Sequence, residues 1–499
     1  MKRFVLINVL LILGLALALA GCSKKETSAG SGGASGAFKG TITFYAQAYS
    51  PVDPTETNPN PPTAFKEVAR KYTELNPGVE IEFFLDLGEQ ANWLRTKMAG
   101  GQAPDIFWAQ YGEVNAGQYP AGSFVPLTPY LERPNKYVPG NAKWLDLFPD
   151  SLIQTVRAPN GDINVIDGDY VATQVIYNVR LFREAGINFE ITNWTTFTRA
   201  CELLKAKGIT PWQYNFGSNG TDNTTWLSRL MATNLYYPDL RNLAVISGPA
   251  ALNLSPLEGA LGVKNGYFTS ADPRFLAWWP AIKEHVEKYM PRDTVSQATT
   301  SDTIFSKFVN QEIAMYWDGS WAGNNLEAAN CSFDYASFPF PCPDKASMPE
   351  ASDFASSGAV GGYSAAWQYF ISSNRANSTM TDAKLEAAVD WLMYITTPQN
   401  NEFVVNDLGS FVPVIKGTTP TEANKGVASV LANAPITIDC GPTYLGSEAY
   451  EGYYREFQAY LMGNQTLRQA GANIDRLFST AADNIIAQSG QDVSQYLKK

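Results

Sequence analysis

The chain has 499 residues, more than one compact core accommodates, and its hydrophobic content of 45% excludes general disorder. Its formal charge of −11, without a basic stripe, argues against a nucleic-acid partner. Aromatic residues make up 13%, with 12 Trp and 25 Tyr, which exceeds the need of core packing alone. Indole and phenol rings stack on the C–H faces of sugars, so this excess of aromatic residues suits carbohydrate recognition. The length suits two or more α/β-sized domains.

The first 21 residues have the layout of an export signal: a basic start, an apolar run over residues 4–20 and a small-residue site before a cysteine. The alternative is a transmembrane anchor, which the run disfavours because it contains Asn8 and is shorter than the roughly 20 residues that span a bilayer. Leu19-Ala20-Gly21-Cys22 resembles the bacterial lipobox. This resemblance implies that residues 1–21 are a lipoprotein signal peptide and that Cys22 is lipidated and anchors the protein to a membrane.

Residues 22–37 follow this site and contain no apolar periodicity. Their sequence after the cysteine, SKKETSAGSGGASGA, is rich in Gly, Ser and Ala. Such a composition predicts a flexible coil with a reach of about 20 Å. We expect it to tether the folded body, which begins near residue 38, although a merely disordered terminus is the alternative.

Strands and helices alternate in the body. Residues 41–45 and 79–85 are β-rich, and between them apolar residues recur at helical spacing over 65–75 before Asn76-Pro77-Gly78. Amphipathic helices are also predicted over 194–207 and 383–395. This alternation predicts the α/β class with largely parallel sheets.

Four cysteines follow Cys22, and they allow three complete disulfide pairings. Cys331 and Cys342 are the expected bridge, because they are close in sequence and a Pro- and Phe-rich loop separates them. Cys201 lies in a helical repeat and is predicted to be a buried free thiol. No Cys/His spacing suggests a metal site, and no cofactor is expected.

Four motifs occur in a fixed order along the chain. GGQAPDIFWA covers 100–109, IYN with LFREAGI covers 176–187, NWT with LLKAKGITP covers 193–211, and FVNQEIAMYWDGSW covers 308–321. In this order they resemble the bacterial extracellular solute-binding proteins of ABC sugar importers, the maltose-binding-like family. Weaker similarity extends over residues 41–477.

The resemblance implies a two-lobed periplasmic-binding-protein type II fold with three hinge crossings. The N-terminal lobe would comprise residues 38–170 and 366–409, and the C-terminal lobe 172–360 and 412–499. The three crossings are expected near 170–174, 358–366 and 409–414. Glycines at the last two crossings supply the backbone freedom that a hinge needs.

Ligand-binding residues are expected just after the strands, because ligands in open α/β sheets bind outside their carboxyl ends. The candidates are Gln47, Tyr49, Trp108, Gln110, Tyr111, Asp169, Asp318, Trp321, Gly362, Tyr363 and Tyr444. Indoles would stack on sugar rings, carboxylates and amides would bind hydroxyls, and Gly362 would bring backbone N–H groups close. Trp108 could instead belong to the core, and Asp318 could hydrogen-bond its own turn.

The family resemblance implies that the protein captures a sugar or oligosaccharide by hinge closure and delivers it to the transmembrane permease subunits of an ABC importer. It would be a lipid-anchored monomer in the periplasm or on the outer face of the cell membrane, and not an enzyme. One alternative is a surface glycoside hydrolase using Asp169 and Asp318, and another is a sugar-sensing lipoprotein. The single histidine, His285, lacks a catalytic motif and is predicted at a solvated helix position.

Overall fold

The computed structural model describes most of the chain beyond residue 37. It covers residues 38–498 except 54–60, 85–89, 116–117, 159, 218–219, 247–253, 297, 353–356, 359–360, 364, 422–423 and 426–444. The predicted signal peptide, Cys22, the tether and Tyr444 lie outside the described residues. Within these described ranges, no helix is both long enough and apolar enough to cross a membrane.

Short strands alternate with helices along the chain. The strands are β1 Gly40–Tyr45, β2 Val79–Phe84, β3 Ile106–Trp108, β4 Ile166–Asp167, β5 Asp169–Asn178, β6 Trp212–Gln213, β7 Met315–Gly319, β8 Tyr335–Phe338, β9 Phe340–Pro341, β10 Ser357–Gly358, β11 Gly361–Gly362, β12 Gln368–Ile371 and β13 Val412–Pro413. The helices are α1 Ala64–Leu75, α2 Gln90–Ala99, α3 Tyr111–Asn115, α4 Thr128–Leu131, α5 Asp150–Val156, α6 Val179–Glu184, α7 Trp194–Ala206, α8 Gly220–Tyr236, α9 Leu240–Leu243, α10 Pro256–Lys264, α11 Trp278–Tyr289, α12 Ser301–Val309, α13 Ala322–Ala328, α14 Asp382–Ile395, α15 Pro398–Leu408, α16 Ser447–Leu461 and α17 Leu467–Ser489.

The predicted β-α-β opening is confirmed by β1, α1 and β2. The two strands pair in parallel, with Gly40 opposite Val79. One face of α1 packs into the core through Phe65, Val68 and neighbours at helical spacing. Leu75 closes the apolar repeat in sequence, yet its side chain is 61% exposed because the helix ends there.

The two other predicted helices are also confirmed, and side-chain caps explain where they begin. Asn193 and Thr196 form a reciprocal capping box at the start of α7. Thr381 caps α14, which runs to Ile395. The following Thr397-Pro398 starts a further helix, α15, because Thr397 caps it and proline suits a first helical position.

The prediction of largely parallel sheets is wrong, since the two large sheets are mixed and a third sheet, β10-β9, is an antiparallel pair. The first sheet has the order β2-β1-β3-β12-β4, and β12 runs antiparallel to both of its neighbours. The second sheet has the order β11-β5-β7-β6, with β8 and β13 also paired to β5, and only β6 and β7 are parallel. Strands that enter a sheet from a distant part of the chain need no crossover helix, so alternation along the sequence does not fix their direction.

Two large hydrophobic cores accompany the two sheets. The buried residues of one core come from residues 42–166 and 366–415. Those of the other come from residues 175–351 and 445–482. The described part of the chain thus forms two α/β lobes, and each lobe combines an early and a late part of the sequence. The residue bounds predicted for the lobes divide the chain at similar places and stay a prediction.

The first predicted crossing is the start of β5, and the other two crossing segments pair with it there. Pro413 and Val412 pair with Asp169 and Tyr170 at the start of this strand. Gly362 and Gly361 pair with the next two residues, Val171 and Ala172. The rest of β5 pairs with β7 inside the second sheet. One strand therefore joins the two remote chain segments to the second lobe.

The three cysteines in the described residues are free thiols, so the structure does not contain the expected bridge between Cys331 and Cys342. Cys342 is buried in the large core of the second lobe, whereas Cys331 packs at the edge of a smaller cluster around Phe308. Burial raises the pKa of Cys342 to about 12, which keeps its thiol protonated. Cys201 is a buried free thiol, as predicted.

Candidate sugar-binding site

Asp169 and Tyr49 form a buried pair where β5 begins. The Tyr49 hydroxyl donates to Asp169 Oδ2 at 2.7 Å, and the backbone amides of Ala366 and Trp367 donate to the same carboxylate at 3.2 and 3.1 Å. Both side chains are at most 1% exposed. This geometry gives them a structural role, because the carboxylate ties the first crossing to the end of the second one.

The electrostatics of this pair follow from burial. Desolvation raises the pKa of Asp169 to about 7, although its three hydrogen bonds act to lower it. Asp167 is also fully buried, and its Oδ2 has no partner among the described residues. Desolvation, with the charge of Asp169 next, raises the pKa of Asp167 well above its usual range. Sequence reasoning missed Asp167, since only the fold shows that two acidic residues share one buried site.

Trp108, Gln110 and Tyr111 lie together at the carboxyl end of β3, as predicted, and a residue that the prediction missed connects them. The Gln368 amide accepts from Tyr111 N at 2.9 Å and donates to Gln110 Oε1 at 2.8 Å. Trp108 Nε1 donates to the carbonyl of Ala365 at 3.1 Å. These three predicted residues are half-buried and form a polar and aromatic wall on the first lobe.

Two further predicted residues, Gln47 after β1 and Tyr363 at the second crossing, make other contacts. Gln47 starts a 3-10 turn with φ +55°, and its side chain accepts from the amide of Ala48. The Tyr363 ring packs edge-on against Tyr170, with centroids 5.2 Å apart, and its hydroxyl lies 3.0 Å from Ser151 Oγ. Neither residue contacts the wall at the end of β3 through a described hydrogen bond.

Gly361, rather than Gly362, is the glycine that a close backbone approach requires. A Cβ on Gly361 would stand 2.0 Å from the carbonyl oxygen of Val171, whereas one on Gly362 would meet no atom of the described residues within 4 Å. Both residues have positive φ, +143° and +132°. Gly362 therefore leaves open space next to the crossing, and its contact with ligand stays a prediction.

Asp318 and Trp321 form the candidate site of the second lobe, at the carboxyl end of β7. The Gly319 amide donates to Asp318 Oδ1 at 2.8 Å, so the carboxylate does bind its own turn. Burial raises the pKa of Asp318 to about 6, and hydrogen bonds from this amide and from the Trp321 side chain act to lower it. Both residues are half-buried.

Trp226 on α8 extends this site, and sequence reasoning missed it. Its ring centroid lies 5.8 Å from that of Trp321 and 6.3 Å from that of Trp317. Trp317 is buried against Tyr214 and Phe340. No local sequence signal singles out Trp226, because only the tertiary fold brings α8 to the end of β7.

The two carboxylates nominated for glycoside hydrolysis are far apart. Asp318 lies opposite Gln174, five residues along β5 from Asp169. This offset corresponds to about 16 Å along the strand, whereas paired glycosidase carboxyls are about 5–9.5 Å apart. Asp169 is moreover buried on protein donors, so the geometry speaks against this pair as an acid and a base.

His285 is buried, so its predicted solvated position is wrong. It lies on the face of α11 that also buries Trp278 and Ile282. The ring stacks on Phe197, and Nε2 lies 3.0 Å from Thr198 Oγ1. Burial, with the nearby positive charge of Lys288 second, lowers the pKa of His285 to about 3 and keeps it neutral.

Comparisons with known proteins place these features in a family context. The sequence model of the bacterial extracellular solute-binding protein family matches residues 56–402. The multiple sugar-binding protein of Streptococcus mutans serotype c is 23% identical over 353 residues, 68% of this chain and 70% of that protein.

Solved structures resemble the fold over most of its length. A chitin oligosaccharide binding protein superposes with a TM-score of 0.62 at 20% identity, covering 89% of this chain and 99% of that one. The solute-binding protein RafE in complex with raffinose superposes with a TM-score of 0.59 at 16% identity, covering 89% and 100%. At these identities the likeness establishes the fold, which is that of two-lobed solute-binding proteins.

Proposed function

Because the chain belongs to the bacterial extracellular solute-binding protein family, we propose that it captures a sugar or oligosaccharide between its lobes and delivers it to an ABC importer. The observation that carries this proposal is the half-buried indole of Trp321 beside the carboxylate of Asp318. A flat indole can stack on the C–H face of a pyranose, and a carboxylate accepts strong hydrogen bonds from hydroxyls. The names of the relatives, which include two sugar binders and a raffinose complex, support the same ligand class.

The first lobe would supply the opposite wall of the site. Trp108 offers a second aromatic face, and Gln110 and Tyr111 offer polar groups beside it. Mostly apolar walls with a few placed polar groups are typical of small-molecule sites. A ligand that touches both walls would bridge the lobes.

Capture would proceed by hinge closure. A sugar that contacts both lobes favours the closed state through contacts that an open state lacks, and so shifts the population toward closure. The pairing of β11 and β13 with the start of β5 supports a common hinge for the three crossings. The closed protein would dock on the transmembrane permease subunits of the importer.

The Cys22 lipid and the tether over residues 22–37 would hold the protein near that importer. Two or more acyl chains give stable anchoring, and a flexible coil leaves the lobes free to dock. We place the protein in the periplasm or on the outer face of the cell membrane, as a monomer without enzymatic activity. Labelling with a radioactive fatty acid, lost in Cys22→Ala, would test the anchor.

A thermal-shift screen of the chain from residue 38 onward tests sugar binding, since Phe38–Lys499 forms a compact unit of its own. The panel would include raffinose, chitin oligosaccharides, malto-oligosaccharides and their monosaccharides. A ligand that binds only the native state stabilises it by about 2.7 kcal/mol at a hundredfold excess over its Kd. At least one sugar should raise the Tm; a panel without any shift, with shifts instead from amino acids or peptides, would contradict the proposal.

A further inference from the structure

The indole of Trp321 lies directly against the backbone of Gly319. A Cβ built on Gly319 would stand 2.3 Å from both Cη2 and Cζ3 of the indole and 2.5 Å from Cζ2. Real Cβ atoms do not approach a ring this closely, so any side chain at position 319 would displace the indole. Because Gly319 has no side chain, the Trp321 indole can occupy the space directly against its backbone.

Trp226 makes a second contact with the Trp321 indole. Its ring meets that of Trp321 at 58°, and it meets Trp317 at 72°. Trp317 is 3% exposed in the core of the second lobe. The Trp226 ring therefore connects the half-buried Trp321 to Trp317 in the core of the second lobe. A spacing of 5.8 Å at this tilt leaves no room for a sugar between Trp226 and Trp321, so the side of Trp226 that faces Trp321 supports this ring and does not stack on a ligand.

Asp318 provides a third contact. The Trp321 side chain lies close enough to this carboxylate to lower its pKa, and the Gly319 amide donates to Asp318 Oδ1 at 2.8 Å. An indole with Gly319 against its six-membered ring and the Trp226 ring beside it has few remaining ways to turn. Its orientation is thus determined before a ligand arrives.

We infer that Gly319 and Trp226 are positioning residues that hold the Trp321 indole in one plane, ready to stack on the apolar face of a pyranose ring. This inference rests on the proposed sugar-binding function. An indole that is already fixed in orientation loses little rotational freedom when a sugar binds. It also binds weakly those sugar rings whose apolar face does not fit its plane. Gly319 and Trp226 would then control both affinity and selectivity among sugars without touching the ligand.

The test uses Gly319→Ala, Trp226→Leu and Trp226→Phe, with Trp321→Ala as reference. Gly100→Ala is the matched glycine control, because a Cβ there makes only ordinary contacts at 3.6 and 3.7 Å. Titrations with raffinose and a chitin oligosaccharide should show about tenfold weaker binding for Gly319→Ala and Trp226→Leu, and near-normal binding for Trp226→Phe, which keeps an aromatic ring. Thermal melts confirm that each variant is folded.

A second readout needs no ligand. In protein labelled with 5-fluorotryptophan, Trp321→Phe assigns the ¹⁹F resonance of Trp321. This resonance should be single and sharp in the parent, and it should split or broaden in Gly319→Ala and Trp226→Leu. Trp226→Leu keeps the test valid if Gly319→Ala fails to fold.

The outcomes separate the two proposals. If Trp321→Ala binds sugar normally, the stacking role in the proposed function fails. If Trp321→Ala abolishes binding but both positioning variants bind normally, the present inference is overturned. An unchanged Trp321 resonance in both variants overturns it as well, even if neither sugar binds.

Discussion

The hydroxyl of Tyr49 donates a 2.7 Å hydrogen bond to the buried carboxylate of Asp169, and residues 49 and 169 come from distant parts of the sequence. The same carboxylate accepts from two amides at the end of the second crossing. This carboxylate therefore holds the first crossing against the end of the second one.

Tyr49→Phe removes the shortest of the three bonds to Asp169. Because a buried carboxylate then keeps fewer donors, we expect the variant to lose about 1–3 kcal/mol of unfolding free energy. Chemical denaturation at pH 8, where the carboxylate is ionised, measures the loss. Tyr130→Phe is the control, since this half-buried tyrosine has no described hydrogen bond to its hydroxyl. Equal stability of the two variants would contradict the prediction.

The raised pKa of Asp169, about 7, makes stability depend on pH. The native state keeps a proton that the unfolded carboxyl releases near pH 4, so the contribution of Asp169 to the unfolding free energy falls as pH rises from about 4 to 7. One such proton corresponds to about 1.4 kcal/mol per pH unit. Asp169→Asn should reduce this fall, measured by denaturation at several pH values. A variant with the parent's full pH dependence would show that Asp169 does not titrate in this range.

His285 should have the opposite effect. Its pKa is lowered to about 3 in the folded state, from the usual 6.5. Between these pH values the unfolded chain binds a proton at His285 and the native state does not. This contribution is complete above pH 6.5 and is lost as pH falls toward 3, at about 1.4 kcal/mol per pH unit. His285→Gln should remove that acid sensitivity even if it lowers stability at pH 7. Identical acid dependence in parent and variant would argue against a buried neutral histidine.

Gly361→Ala and Gly362→Ala form a matched pair at the second crossing. Both replace a glycine at positive φ, which costs about 1–3 kcal/mol in each case. Only the Gly361 Cβ would also collide with the Val171 carbonyl, at 2.0 Å. We expect Gly361→Ala to be the less stable variant by roughly a further 1–3 kcal/mol in thermal or chemical unfolding. Equal losses of unfolding free energy in the two variants would contradict the close contact between Gly361 and the Val171 carbonyl.

Much of the local structure was predictable from sequence because short-range signals determine it. The helical repeat and the Asn76-Pro77-Gly78 turn delimit α1 and β2, and Asn193 marks the start of α7. The order of the motifs likewise predicted that Asp318 and Trp321 would lie together after β7, since three residues of turn separate them at most.

The remaining features depend on long-range packing. Gln368 connects the first-lobe wall only because β12 inserts beside β3, and Trp226 reaches Trp321 only because α8 packs over the end of β7. The same reason explains the incorrect expectation for His285: a solvated helix position was predicted, but His285 lies on the helix face that packs into the core with Trp278 and Ile282. Strand direction also failed as a prediction, since β12 returns from a distant part of the chain.

Calorimetric titration of the Trp321→Ala variant tests the central claim most directly. It would use the sugar that stabilises the parent most in the thermal screen, with Trp93→Ala as a control for losing a half-buried tryptophan elsewhere. The account predicts that Trp321→Ala weakens sugar binding at least about thirtyfold, since losing a stacking aromatic at a binding hot spot costs about 2 kcal/mol or more, while Trp93→Ala binds like the parent. Sugar binding of parent strength by folded Trp321→Ala would contradict it.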